Sequence, residues 1–562
     1  MNPSASAPDA GATTFAAEVD VLVIGAGITG IYQLYRARDA GFSVQLLEAG
    51  GGVGGTWFWN RYPGARFDSE SYTYGYLFSR ELFDEWAWSE HFAEQPETER
   101  YLNHVVDRFD LRRHMRFDAK VVAAVYDESS GTWIVTVADG TRYRTRFLVA
   151  ASGSLSVPYI PDVPGRDEFR GEQYHPARWP AAPVEFAGKR VAVVGTGSSG
   201  VQVMPVIAEE AASVTVYQRT PTWCTPLNNS PITPEEQSQL RADFDALVEV
   251  LNTSASGFHH ELHDRSAFED SKEERWEFFE RLWNSPGFRK LTSNYRDVML
   301  DRDANAEWCE FIAEKIRTIV HDADTAEALI PKDHLFGEKR PPFVAGYYEA
   351  FNLPHVSLVD LMTTPIVRVT ADGIETAAGE QPFDMIIWAT GFDFGTGALT
   401  RMGIRGRNGL ALEDDWIDGP KTYMGIQVVG FPNLFIPAGP HAAAGNNPRY
   451  NSDQVDFIMD LLVRTREEGN DSIEVDVAAE EAWDAMIDKY ATITLFGGGP
   501  GSQYFGDNIP GKARRYLLNS GGRVYLFAVM AEQRENDFNA FRRWRSESPG
   551  SPPLRGASTA VP

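Results

Sequence analysis

Val19-Asp20-Val21-Leu22-Val23-Ile24-Gly25-Ala26-Gly27-Ile28-Thr29-Gly30 is the stretch that decides the fold. Its first half is a near-continuous apolar run, the mark of a strand buried on both faces of a parallel sheet. Its second half is GxGxxG, followed by a helical stretch to about Ala40 and a second apolar run, Val44 to Leu47. In such a βαβ unit the first glycine permits a tight turn. The second lets the backbone approach a pyrophosphate, and the third lets helix and strand pack closely. The helix N-terminus then offers free N–H groups and a favourable dipole to the phosphates. One GxGxxG is a weak signal. Here the pattern returns 170 residues later. Arg190 to Val194 reads as a strand, Gly195-Thr196-Gly197-Ser198-Ser199-Gly200 as the turn, and Ser213 to Tyr217 as the next strand. Two copies, each between strand and helix, predict an α/β chain with two doubly wound, Rossmann-like dinucleotide-binding domains.

The units differ where they choose a nucleotide. From Gly25, 23 residues reach Glu48; from Gly195, 23 residues reach Gln218. A carboxylate at that offset accepts hydrogen bonds from a ribose diol, so the first site suits FAD or NAD. In the second the carboxylate is an amide and Arg219 follows. An arginine can hold a 2′-phosphate that a carboxylate would repel, so the second site suits NADPH. The competing reading of Arg219 is a solvated surface arginine.

Outside the units the sequence is less explicit. Thr233-Pro234-Glu235-Glu236 has the form of a capping box with proline at the first helical position. Phe244, Leu247, Val248 and Leu251 follow at helical spacing, as do Trp276, Phe279 and Trp283, then Trp308, Phe311, Ile312, Ile316 and Ile319. This predicts a helical insertion in the second domain, its aromatic stripes being core. Two further apolar strands, Phe147 to Ala151 and Met385 to Trp388, end in small-residue turns. The resulting division is a tail at 1–17, an FAD-binding part at 18–150 and a linker at 151–185. An NADPH-binding domain at 186–230 and 335–383 encloses the insertion at 231–334. The FAD-binding domain returns at 384–545, and a second tail occupies 546–562, both tails reading as disordered.

The 562 residues carry 52 Lys and Arg against 79 Asp and Glu, a formal charge of −27, which argues against nucleic acid or an anionic membrane as partner. No run approaches ~18 uninterrupted apolar residues, so no membrane insertion is expected. Cys224 and Cys309 are the only cysteines, and neither lies in a CxxC. That removes the dithiol a disulfide reductase of this plan needs and suits a reducing, cytoplasmic setting.

Four segments add specificity. Phe169-Arg-Gly171-Glu-Gln-Tyr-His175-Pro-Ala-Arg-Trp179-Pro180 fits FxGxxxHxxxWP. Gly54-Gly55-Thr56-Trp57, Tyr62-Pro63-Gly64 and Asp68 together fit [AG]GxWxxxx[FY]P[GM]xxxD. Asp384 to Asp393 closes on Ala-Thr-Gly-Phe-Asp, and Asn508-Ile-Pro-Gly-Lys512 lies near the C-terminus. From about Val19 to about Tyr525 the chain resembles the type I Baeyer–Villiger monooxygenases, within the class B flavoprotein monooxygenases.

The resemblance implies an enzyme that uses FAD, NADPH and O2 to turn a ketone into an ester or lactone through a flavin C4a-peroxide. It implies that Arg340, in Gly-Glu-Lys-Arg-Pro-Pro, is catalytic and that Asp68 sits by the flavin and pairs with it. A fork-like pair would hold the guanidinium where negative charge develops. Lys339 would join Arg219 and Thr220 at the 2′-phosphate. Thr56, Trp57 and Tyr74 would line the FAD, His175 would act as a conformational linker residue, and Pro440 to Gly445 would border the substrate. One departure stands out: relatives carry Trp where this chain has Gln503, and Asp507 replaces a common small residue. The rival readings are an N- or S-oxidising flavin monooxygenase, an uncoupled NADPH oxidase, and a non-catalytic flavoprotein sensor.

Overall fold

The computed structural model describes residues 15–442 and 445–546. The tail readings at 1–14 and 547–562 lie outside the described residues. Residues 16 and 17, expected in the N-terminal tail, belong to the fold. Ala16 N–H donates to the Arg142 carbonyl at 2.8 Å, and strand β1 (Ala17–Ile24) starts at the next residue. At the other end Ser546 N–H donates to Asp471 at 2.8 Å.

β1 is buried through Val21, Leu22, Val23 and Ile24 because both faces of its sheet are covered. It pairs in parallel with β2 (Val44–Leu47), which pairs with β3 (Met115–Arg116). β4 (Val121–Asp127) and β5 (Thr132–Val137) form an antiparallel hairpin that runs into β6 (Arg142–Ala150), the parallel neighbour of β1 on its other side. The C-terminal part returns with Ile404–Arg405 beside β4 and Leu434–Phe435 beside β6, giving eight strands. Helix α1 (Ile28–Asp39) covers one face and is covered in turn by the helix Asn447–Glu467, whose Asn451 donates to Thr29 Oγ1 at 2.8 Å.

The second sheet has five parallel strands in the order Val356–Asp360, β9 (Ser213–Gln218), β8 (Arg190–Val194), Met385–Trp388, β7 (Glu172–Tyr174). This moves two boundaries. Met385–Trp388 was expected at the return of the first domain; it hydrogen-bonds to β8 and belongs to the second sheet. The expected linker contributes β7, an edge strand of the same sheet. Met385–Trp388 is a short apolar run that looks alike in sequence whichever sheet accepts it, and β7, Glu-Gln-Tyr at an exposed sheet edge, carries no apolar strand signal.

The insertion is helical as expected. The helix Pro234–Ala242 begins with the full Thr233/Glu236 capping box. Phe279, Trp283, Trp308, Phe311 and Ile312 are buried in one core with Val191, Val193 and Met204 of the second domain. Among the described residues no helix is long and apolar enough to cross a membrane.

Candidate active site

Both glycine turns sit at the C-terminal ends of their parallel strands and open on one cavity of about 1720 Å³. Gly25 adopts φ +105°, and a Cβ on Gly30 would lie 1.9 Å from the Gly25 carbonyl oxygen, so α1 can press against the turn only without a side chain there. Gly195 and Gly200 repeat this at φ +109° and 2.2 Å. Neither following helix is capped by a side chain, so its first N–H groups are free for an anion. Gly27 and Gly197 line the cavity, and nothing lies within 4 Å of a Cβ built on Gly197. These two cradles fit dinucleotide diphosphates.

The selecting residues differ as their types require. Glu48 is buried and lines the cavity. Its two oxygens accept from Ala26 N–H and Gly50 N–H, each at 2.7 Å, which fixes the turn and leaves further lone pairs for a ribose. Burial raises its carboxyl above the usual range, against these hydrogen bonds. Gln218 is turned away, donating to the Ala328 carbonyl at 2.7 Å. Arg219 lines the cavity and makes no ion pair among the described residues. Lys339 lines it too, 3.6 Å from Asp333; burial, then the charge of Arg219, lowers its ammonium below the ordinary value. Thr196 Oγ1 donates to the Thr220 carbonyl at 2.7 Å, tying the second turn to the segment that carries Arg219.

Between the cradles lies the Asp68–Arg340 pair. Arg340 Nη2 donates to Asp68 Oδ1 at 2.7 Å. The expected two-ended fork is not formed, because Nη1 donates instead to the Pro341 carbonyl at 2.9 Å. Burial opposes the charge of Arg340, and Asp68 outweighs it, so the guanidinium is held above its ordinary value. The rings of Phe288 and Phe343 stand 5.3 and 5.9 Å from its Cζ. Trp57 Nε1 donates to the Tyr74 hydroxyl at 2.8 Å, and Phe67 stacks on Tyr74 at 4.3 Å, forming an aromatic box beside Asp68. Thr56, at the start of this segment's short helix, also lines the cavity.

His175 joins two motifs that were read separately. Its Nδ1 accepts from Ala177 N–H at 3.0 Å, so Nε2 carries the proton and donates to the Gly391 carbonyl at 3.1 Å. Burial lowers its pKa to about 4 and keeps it neutral. The C-terminal Asn-Ile-Pro-Gly-Lys segment meets the same turn. Asn508 donates to the Phe392 carbonyl at 2.8 Å and Lys512 pairs with Asp393 at 2.6 Å.

Of the residues read from the sequence as catalytic, cofactor-binding or linker residues, all line the cavity except Gly30, Gly200 and Trp179, which are buried behind it; Gln218, Asp393, Asp507 and Lys512 do not line it either. Ser198 and Ser199 line it at the second helix start. Of the Pro440–Gly445 loop, Pro440, Ala442 and Gly445 line it, and residues 443–444 are outside the described set. Gln503 lines it too, and the preceding loop is fastened to the segment that leads into Lys339 and Arg340: Gly497 and Gly499 N–H donate to the Gly337 and Glu338 carbonyls, each at 2.9 Å. Sequence reasoning missed Tyr504, a buried phenol on the same cavity wall, whose pKa burial pushes up to about 12 against the opposing charge of Arg340. It also missed Glu70 and His260, which meet at 2.6 Å near the cavity. No local pattern signals either contact.

Two dinucleotide cradles on one cavity, with a held arginine between them, define a two-nucleotide oxidoreductase. A family model described as pyridine nucleotide-disulphide oxidoreductase matches residues 22–278. The chain is 44% identical to a 2-oxo-Δ3-4,5,5-trimethylcyclopentenylacetyl-CoA monooxygenase of Pseudomonas putida, over 83% of this chain and 87% of that one. It is 38% identical to a Baeyer–Villiger monooxygenase of Pseudooceanicola batsensis, over 93% and 96% respectively. A crystal structure of OTEMO in complex with FAD and NADP superposes with a TM-score of 0.90 at 41% identity, covering 93% of this chain and 99% of that one. The chain belongs to the Baeyer–Villiger monooxygenase family.

Proposed function

We propose that the protein converts a ketone, O2, NADPH and a proton into an ester or lactone, NADP+ and water, with FAD at the first cradle and NADPH at the second. The observation that carries this reading is the Asp68–Arg340 pair, 2.7 Å apart, in the cavity that both cradles share. FAD, when bound and reduced, supplies the activation of O2. The chain's own residues do the rest. Arg219 and Lys339 hold the 2′-phosphate, while the helix starts at Ile28 and Ser198 bind the diphosphates. Arg340 stays protonated and stabilises negative charge on the ketone oxygen as its carbon becomes tetrahedral. Asp68 keeps the guanidinium in place. Phe288 and Phe343 exclude water, which strengthens the charge interactions. His175, neutral and doubly hydrogen-bonded, holds the linker rather than moving a proton. Two buried free thiols, Cys224 and Cys309, fit a cytoplasmic enzyme.

The test is incubation of the holoprotein with NADPH, O2 and a panel of linear, cyclic, aromatic and steroidal ketones, with amine and sulfide controls. Ester or lactone one oxygen heavier than the ketone is the expected product. Hydrogen peroxide alone would indicate an oxidase, and oxidised amine or sulfide without ester would indicate a heteroatom oxygenase.

A further inference from the structure

Glu70 lies two residues beyond Asp68 and is 2% exposed. Its Oε1 accepts from His260 Nε2 at 2.6 Å, across 190 residues of sequence, joining the first domain to the helical insertion. The other ring nitrogen of His260 is 2.7 Å from Thr292 Oγ1, which also donates to the Phe288 carbonyl at 3.0 Å. Burial opposes the charge on Glu70 and the contact with His260 outweighs it, so the carboxyl stays below its ordinary range. His259 is held in the same cluster by Arg289, whose Nη2 donates to its Nε2 at 3.1 Å. The cluster thus carries its own cation, which favours hydrogen bonding over a metal ion.

The His260 ring leads back to Arg340. Phe258 stacks on it at 5.4 Å and 4°, and Phe288 stacks on Phe258 at 5.0 Å. Phe288 is the ring 5.3 Å from the Arg340 guanidinium. At Gly287 a Cβ would come within 2.9 Å of the Asp68 carbonyl oxygen, so the segment carrying Phe288 abuts the Asp68–Glu70 segment. A closed ring of contacts results: Asp68, Arg340, Phe288, Phe258, His260, Glu70. Phe258, His260, Phe288 and Thr292 all line the cavity.

We propose that Glu70 and His260 are positioning residues for oxygen insertion, a buried clamp that holds the Phe258–Phe288 stack against Arg340 and so keeps the ketone end of the cavity dry. The proposal rests on the role given to Arg340. The clamp acts on coupling, not on nucleotide binding, because it touches the wall at Arg340 and neither cradle.

Four holoenzyme variants test it: His260→Ala, His260→Gln, Phe288→Ala and the His260→Ala/Phe288→Ala double. His260→Ala is expected to lower ester formed per NADPH consumed by about ten-fold or more, with hydrogen peroxide replacing ester. Reduction of bound FAD by NADPH should stay within about two-fold, since the nucleotide contacts are untouched. Amide exchange of residues 287–292 should quicken without any substrate present. His260→Gln, which keeps a donor for Glu70, should recover most of the coupling. The double variant should be no worse than the worse single, because both act through one wall. Wild-type coupling in His260→Ala, or losses that multiply in the double, would overturn the clamp. If His260→Ala does not retain FAD, Thr292→Val removes only the hydroxyl on the far side of the ring; a coupling loss of about three-fold or more supports the clamp and unchanged coupling overturns it. Arg340→Ala separates the two ideas. Normal ester formation by that variant sinks the arginine's role itself, whereas an inactive Arg340→Ala beside a fully coupled His260→Ala sinks only the clamp.

Discussion

Arg340→Ala is the perturbation that probes the chemistry most directly, and its consequences divide into two parts. The first is loss of a fixed cation where negative charge develops, worth about 100- to 1000-fold in ester formation. The second is the carboxylate left behind. Asp68 is 6% exposed and would lose its cation. Breaking a fully buried pair costs about 3–5 kcal/mol. The Arg340 side chain is 25% exposed, and solvent screening brings this to about 1–3 kcal/mol of stability. An uncompensated carboxylate would also repel charge building on the ketone, so the single variant alone cannot separate a catalytic arginine from a neutralising one. The double variant Arg340→Ala/Asp68→Ala does, because it removes both charges. The assay is ester yield per NADPH in the holoenzyme, with flavin reduction followed by absorbance. Flavin reduction should remain within a few-fold in both variants, and ester formation should stay about 100-fold or more below wild type in the double. Recovery of ester formation by the double to within about ten-fold would refute the reasoning, because Arg340 would then serve only to neutralise Asp68.

Arg219→Ala should raise the KM for NADPH by about 10- to 100-fold, the worth of charge-assisted hydrogen bonds to a phosphate, and leave that for NADH within a few-fold. Equal effects on both nucleotides would remove Arg219 from the 2′-phosphate. Gly30→Ala places a Cβ 1.9 Å from the Gly25 oxygen, so α1 must shift. A Tm drop equivalent to about 1–3 kcal/mol and loss of flavin on gel filtration are expected; unchanged Tm and full flavin would contradict the packing. His175 is neutral in the fold, with a pKa near 4, while the unfolded chain takes up that proton near 6.5. Its contribution to stability is therefore complete above pH 6.5 and falls as pH drops toward 4, by up to about 3 kcal/mol. Buried His259 and His441 titrate with the same sign, so the measurement is the difference between wild type and His175→Gln in urea unfolding across that window. An identical pH slope in the two proteins would show that His175 is not the neutral residue its hydrogen bonds describe.

By itself the sequence determined the two βαβ units, because strand burial, glycine turns and helix starts are properties of short segments. Val44–Leu47, Arg190–Val194 and Met385–Trp388 fall where the apolar runs place them. The 23-residue offsets to Glu48 and Gln218 likewise follow from strand and helix lengths. The pairing of Asp68 with Arg340 was legible only through the family resemblance, since 272 residues separate them. Tertiary structure alone decided that Met385–Trp388 joins the second sheet, that Arg340 makes one bond to Asp68 rather than two, and that Tyr504 lines the same cavity within reach of its charge. It alone brought Glu70 to His260. The physical reason is common to all four. Side-chain periodicity records which face of an element is buried, whereas the partner on the other side of that burial is chosen by how distant elements pack.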